Sequence, residues 1–121
     1  MAKSKFTIKQ SAKGYTFNLV AGNGEIIGTS EVYAAMAGLK NGVASVQKNA
    51  PIAAIEDQTV EGSKAGNPKF EIYKDKKGEF RFRLKAGSGQ IILASQGYND
   101  KAGCKNGVKS VQKNAPEATV E

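Results

Sequence analysis

Along this chain apolar and polar residues alternate through three short stretches, then the period lengthens, and the whole succession occurs twice. Lys5 to Lys9 sets Phe6 and Ile8 on one face and Thr7 and Lys9 on the other. Tyr15 to Val20 repeats the alternation after a turn at Gly14, and Ile26 to Ser30 is a third run. A period of two marks a strand buried on one side. Ala21-Gly22-Asn23-Gly24 is a turn by composition, because Gly and Asn tolerate positive φ. The later counterparts are Phe70 to Lys74, Phe80 to Lys85 and Ile91 to Ser95, with Ala86-Gly87-Ser88-Gly89 as the turn. Each set predicts a three-stranded antiparallel meander.

The apolar positions that follow fall at i, i+4, i+7 and i+11: Leu39, Val43, Val46 and Ala50, then Cys104, Val108, Val111 and Ala115. That stripe predicts an amphipathic helix in each half. Asn49 and Asn114 are expected as left-handed C-terminal caps, with Pro51 and Pro116 stopping continuation. Asn99 or Asp100 is expected to cap the start of the second helix. Ala53 to Glu56 and Ala118 to Glu121 are predicted as a fourth strand in each half.

The two successions are copies. Ala21 to Pro51 aligns without gaps onto Ala86 to Pro116, a shift of 65 positions, with 20 of 31 residues identical. One extra residue near Glu79 extends the match upstream, Phe6-Thr7-Ile8 onto Phe70-Glu71-Ile72. Many residue types recur in order, so chance likeness of low-complexity segments is excluded, and the fold is read as a tandem duplication. One domain over 1–121 is expected: repeat one 5–60, a linker 61–68 of small and polar residues (Gly, Ser and Lys among them), and repeat two 69–121. A unit of about 60 residues buries too little surface to be robust alone, so the copies are expected to share a sheet. The fold class is α+β: tandem β-β-β-α-β repeats, one largely antiparallel sheet, and both helices on one face.

The motif Gly42-Val43-Ala44-Ser45-Val46-Gln47-Lys48-Asn49-Ala50-Pro51, and again Gly107-Val108-Lys109-Ser110-Val111-Gln112-Lys113-Asn114-Ala115-Pro116, resembles the YegP-like proteins. The resemblance covers nearly the whole chain. It implies that the C-terminal strands are exchanged between the halves, and it implies no activity.

Composition removes several chemistries. The chain of 121 residues has no His and one Cys. A Ser-His-Asp triad, a Cys-His pair, a His-ligated metal and an internal disulfide are thereby excluded. No catalytic, cofactor-binding or metal-ligating residue is assigned, no cofactor is expected, and the expected protein is not an enzyme. No apolar run follows Lys3, Lys5 and Lys9 as a secretory signal would require, and no window approaches a membrane span. A cytoplasmic monomer with no membrane partner is expected.

Charge changes the picture within the repeat. Net charge is +7; residues 1–62 carry +1 of it and residues 63–121 carry +6. On one strand Arg81, Arg83 and Lys85 share the face opposite Phe80, Phe82 and Leu84. On the second helix Lys101, Lys105, Lys109 and Lys113 recur every fourth residue. These seven are the candidate anion-binding residues. Nucleic acid is the partner they would suit, but helix and strand ridges are expected on opposite sheet faces, and only Tyr73 is placed to stack a base. A solvated surface is therefore favoured over nucleic-acid binding.

Gly38, Gly42, Gly103 and Gly107 lie inside predicted helices, where Gly costs about 1 kcal/mol against Ala; close packing of helix on helix or helix on sheet is expected there. Cys104 stands where the first copy has Leu39 and is expected to be buried and inert. The expected function is a binding or interaction module with a protein partner; the alternative is non-sequence-specific binding of nucleic acid or another polyanion through the second repeat.

Overall fold

Each alternating stretch forms its strand and each apolar stripe its helix. The computed structural model describes residues 3–120. The first repeat runs β1 (Lys5–Ser11), β2 (Gly14–Val20), β3 (Ile26–Thr29), α1 (Met36–Asn49) and β4 (Ala54–Asp57). The second runs β5 (Lys69–Lys74), β6 (Phe80–Lys85), β7 (Ile91–Ala94), α2 (Lys101–Asn114) and β8 (Thr119–Val120), with a short 3-10 turn at Ala115–Glu117. Glu121, the last residue of the predicted fourth strand, lies outside the described residues. The turns after β2 and β6 place Gly24 and Gly89 at φ +89° and +88°, where a side chain would be strained.

All eight strands join one sheet in the order β4-β5-β6-β7-β3-β2-β1-β8. The order maps onto itself when the repeats are interchanged, which defines a pseudo-twofold axis between β3 and β7. Neighbours are antiparallel except at the two edges. There β4 runs parallel to β5 and β8 parallel to β1. Each half therefore donates its last strand to the other, and the sheet is mixed but mostly antiparallel. Equivalent bulges interrupt the ladders at Leu19/Val20 and Leu84/Lys85.

The core lies between this sheet and the helices. Phe6, Phe17, Phe70 and Phe82 are fully buried, as are Leu39, Val46, Cys104, Val108 and Val111 from the helices. Burying an aromatic or aliphatic side chain of this size contributes roughly 1.5–3 kcal/mol, so these positions dominate stability. Each half carries the same three-ring cluster: Phe6 edge-on to Phe17 and Phe17 stacked on Tyr33, with centroids 5.6 and 6.2 Å apart, and Phe70, Phe82 and Tyr98 in the same arrangement at 6.0 and 6.3 Å.

One expectation is corrected and another narrowed. Asn49 and Asn114 are not left-handed caps, since no non-glycine residue among those described has positive φ. The chain stays right-handed through Ala50 and Ala115 (φ −54° and −57°), and Pro51 and Pro116 then remove the next N–H donor. The Asn49 amide instead donates back to Ser45, at 2.9 Å to its carbonyl and 3.0 Å to its hydroxyl, and Asn114 does the same to Ser110. The glycines do serve close packing, and it is helix against the sheet side rather than helix against helix. A methyl on Gly42 would meet the Tyr33 ring, with Cζ at 2.6 Å, and one on Gly107 would meet the Tyr98 hydroxyl and Phe82 Cε2 at 2.9 Å. Gly38 is less crowded, its methyl lying 3.5 Å from Tyr33. Of the proposed caps for α2, Asp100 is the one used; its Oδ1 accepts from the Gly103 N–H at 2.7 Å.

The glycines are therefore expected to diverge on substitution. Gly42→Ala and Gly107→Ala should destabilise by roughly 1–3 kcal/mol through overpacking, whereas Gly38→Ala should gain up to about 1 kcal/mol from helix propensity. Thermal melts of the three variants check this; a stabilised Gly42→Ala would refute the tyrosine account.

Candidate anion-binding surfaces

The seven candidate cations fall into two groups on opposite sides of the molecule. Arg81, Arg83 and Lys85 alternate with core residues on β6 and so point to the open sheet face, away from both helices. Antiparallel register sets Glu71 of β5 directly opposite Arg83, and parallel register sets Glu56 of β4 beside Glu71. Arg83 Nε donates to Glu71 Oε1 at 2.5 Å, and the Lys69 and Lys85 ammonium groups lie 3.3 Å from the same carboxylate. Lys69 also reaches Glu56 at 3.0 Å, and the Gln58 amide donates to both acids. Arg81 is held separately by Asp75 at 2.7 Å. The Tyr73 ring, the one expected stacking platform, lies beneath the Arg83 guanidinium, 4.6 Å from its centroid. On this face the cations are satisfied from within the protein.

The acids respond to that crowding. Hydrogen bonds from Gln58, the Ala65 N–H and Lys69 lower the Glu56 carboxyl to about 2, overcoming its partial burial. Burial would raise Glu71, whose relative exposure is 2%, but donors from Arg83, Lys69 and Lys85 outweigh it and leave this carboxyl below its ordinary value. Ala65 belongs to the linker, so Glu56 also fastens the segment between the repeats to the open face.

Lys101 is held too. Its ammonium lies 3.0 Å from Asp57 and ties the start of α2 to the end of β4. Lys105, Lys109 and Lys113 are exposed along α2 and enter no ion pair with the described residues. On α1, Lys40 and Lys48 are exposed in the same way. The structure thus gathers Arg83 and Lys85, leaves Arg81 and Lys101 each with its own acid, and strings the last three along a helix. Glu56 and Asp57 read from the sequence as solvated loop acids; they are instead β4 residues, Glu56 buried and holding Lys69 and Asp57 holding Lys101. Sequence reasoning missed Glu71, Gln58 and Lys69. For Glu71 a signal existed: it shares its strand face with Tyr73, and aligning Phe70 with Leu84 places it opposite Arg83.

Other chemistry is sparse. Among the described residues no cluster of three His, Cys, Asp or Glu side chains could hold a metal, and no helix is long and apolar enough to cross a membrane. Cys104 is fully buried, and that burial pushes its thiol up to about 11. A depression of about 570 Å³ between Tyr73, Phe80 and Lys101 is shallow and open to solvent.

Two β-β-β-α-β units that share one sheet by exchanging their last strands define a class of tandem α+β proteins. A family model described as a domain of unknown function, DUF1508, matches residues 10–57 and again 75–121, once in each unit, and the chain belongs to this family. The UPF0339 protein YegP of Yersinia pestis is 38% identical over 122 residues, covering 100% of this chain and 96% of the relative. A UPF0339 protein of Treponema denticola is 62% identical over 52 residues, 43% of this chain but 90% of that protein. One of Stutzerimonas stutzeri is 75% identical over 48 residues; the match spans 40% of this chain and 43% of the relative, less than half its length. The solution NMR structure of yegP from E. coli, described as a protein of unknown function, superposes with a TM-score of 0.81 at 32% identity, covering 100% of this chain and 93% of that one.

Two outcomes test the site. The folded Glu56 carboxyl is a stronger acid than its ordinary value of 4.5, so its contacts stabilise the protein above that pH and are lost as pH falls toward 2. The Tm of Glu56→Gln should accordingly drop less than that of the parent between about pH 6 and pH 3; equal drops would refute the assignment. Iodoacetamide at about pH 8 should label Cys104 only after unfolding, and rapid labelling of the native protein would contradict its burial.

Proposed function

We propose that this protein is a non-enzymatic interaction module that meets its partner with the face formed by its two helices. The observation that carries this reading is the distribution of charge. The two helices, of 14 residues each, hold six lysines and no Asp or Glu. Surface helices ordinarily intersperse acids at i+4, and like charges at that spacing cost roughly 0.2–0.5 kcal/mol per pair. Lys113 stands in the last turn, where the helix dipole favours a cation, but Lys105 and Lys109 repel each other in the body of α2 with no acid beside them. On the open sheet face of the second repeat, in contrast, acids accompany Lys69, Arg81, Arg83 and Lys85. A helical face that holds six lysines and no acid is better explained by contact with something outside the chain than by solvation alone.

The second support is repetition. Lys40, Asn41 and Lys48 on α1 are identical to Lys105, Asn106 and Lys113 on α2, and all six residues are exposed. Packing explains the shared apolar stripe and the glycines but has no hold on these. The buried, weakly acidic Cys104 and the paired carboxylates offer no accessible nucleophile or free acid-base pair.

Photo-crosslinking in cells tests the choice of face. A benzoylphenylalanine placed at Ala44 on α1 or at Lys109 on α2 should give adducts, while one at Thr29, exposed on the open sheet face, should give none. Adducts from Thr29 alone, or from no position, would overturn the proposal.

A further inference from the structure

We infer that the partner of the helical face is the sugar-phosphate backbone of double-stranded nucleic acid, engaged across the pseudo-twofold axis; this rests on the proposed interaction face. Three observations lead there. First, the exposed side chains of that face are cations and short polar or small groups: Lys40, Asn41 and Lys48, with Lys105, Asn106, Lys109 and Lys113. Lysine and asparagine are both suited to phosphate oxygens, and the alanines among them, Ala37, Ala44 and Ala102, let a backbone approach the helix surface closely. Consecutive members of the α2 ladder are separated by about 6 Å along the helix axis, so Lys105, Lys109 and Lys113 can follow successive phosphates of one strand.

Second, the arrangement has the symmetry of a duplex. The sheet order maps onto itself about an axis between β3 and β7, so α1 and α2 run antiparallel on one face and present Lys40/Lys48 and Lys105/Lys113 as equivalent pairs. Double helices have twofold axes perpendicular to their length, and proteins that align a twofold with them contact both strands alike. An acidic peptide or a single strand offers no such pair of equivalent backbones.

Third, single-strand readers combine cations with aromatic platforms, and neither helix carries an aromatic residue. Tyr33 and Tyr98 precede the helices and stack inward on Phe17 and Phe82, while Tyr73 lies under Arg83 on the opposite face. Phosphates, not bases, are what this surface can hold, so binding is independent of base sequence and strongly salt dependent.

The test is fluorescence anisotropy of duplexes of about 20 base pairs, DNA in one arm and RNA in the other, titrated between about 50 and 200 mM salt. Binding to at least one duplex is expected, with log K falling by about 0.9 per decade of salt for each phosphate neutralised. The triple variant Lys105→Gln, Lys109→Gln, Lys113→Gln should bind at least about tenfold more weakly and lose about 2 to 3 from that slope. A control with the same loss of charge in the hairpin turns, Lys13→Gln, Lys76→Gln, Lys77→Gln, should stay within about twofold of the parent. Equal weakening of both variants, tighter binding to the single strands than to the duplex, or no binding at the lowest salt would overturn the inference. Helix-face crosslinks to a protein in cells, together with no duplex binding, would leave the interaction module standing and remove nucleic acid as its partner.

Discussion

The exchange of edge strands is the constraint on which the rest of this fold depends. The two halves meet at the centre of the sheet through β3 and β7, where Thr29 opposite Ala94 is the one aligned pair. Such a seam carries little hydrogen bonding. The halves are joined instead at the periphery, by the four-residue parallel ladder of β4 on β5 and the shorter one of β8 on β1. Between seam and edges the connections α1–β4 and α2–β8 cross the core, and the Gln47 amide of α1 donates to the Ala118 carbonyl at 3.2 Å. Remove the exchange and each unit exposes a bare edge at β1 or β5. In the Treponema relative 52 aligned residues make up 90% of the protein, the length of one such unit.

Duplication made the scaffold symmetric, and the departures from symmetry have local physical causes. Gly28 and Leu93 are equivalent positions, and they face each other beside the pseudo-twofold axis. A methyl on Gly28 would come within 2.7 Å of the Leu93 side chain, so two leucines would claim the same volume. A residue on the axis of a symmetric pair must either be small on both sides or differ, and here it differs. At the helix starts Asp100 caps α2 while the equivalent Ala35 gives α1 no side-chain cap.

Much of the architecture was legible because it rests on local periodicity. Strand and helix positions follow from alternation and from the i, i+4, i+7 stripe, which depend only on which face meets the core. The strand exchange was not legible that way; it came with the family resemblance, since periodicity says nothing about which half a short fourth strand joins. The candidate site was half legible. Alternation placed Arg81, Arg83 and Lys85 on the outer face, but their neutralisation depends on cross-strand register with β5 and, through Glu56, on a strand from the other repeat. Lys101 and Asp57 meet for the same reason, across the exchange. The helix glycines announced close packing, yet their partners, Tyr33 and Tyr98, precede the helices and fold back onto them, a path no spacing encodes.

Register also explains how so much charge entered one half without disturbing the sheet. Thr7 pairs with Asn18 in the first repeat, and the equivalent pair in the second is Glu71 with Arg83. A neutral polar pair in one copy corresponds to an ion pair in the other, so on the sheet acid and base diverged together. Their joint presence matters because Glu71 is nearly inaccessible, and a carboxylate left there without its cations would be costly. The helices followed a different rule. Met36 corresponds to Lys101, which found Asp57, but Ala44 corresponds to Lys109, which found no acid among the described residues. Coupled change on one face and uncoupled change on the other separate the structural charges from those the fold does not need. The positive charge that no acid of the sheet answers is thus strung along α2, whose four lysines are twice those of α1 and lie on the same side of the sheet.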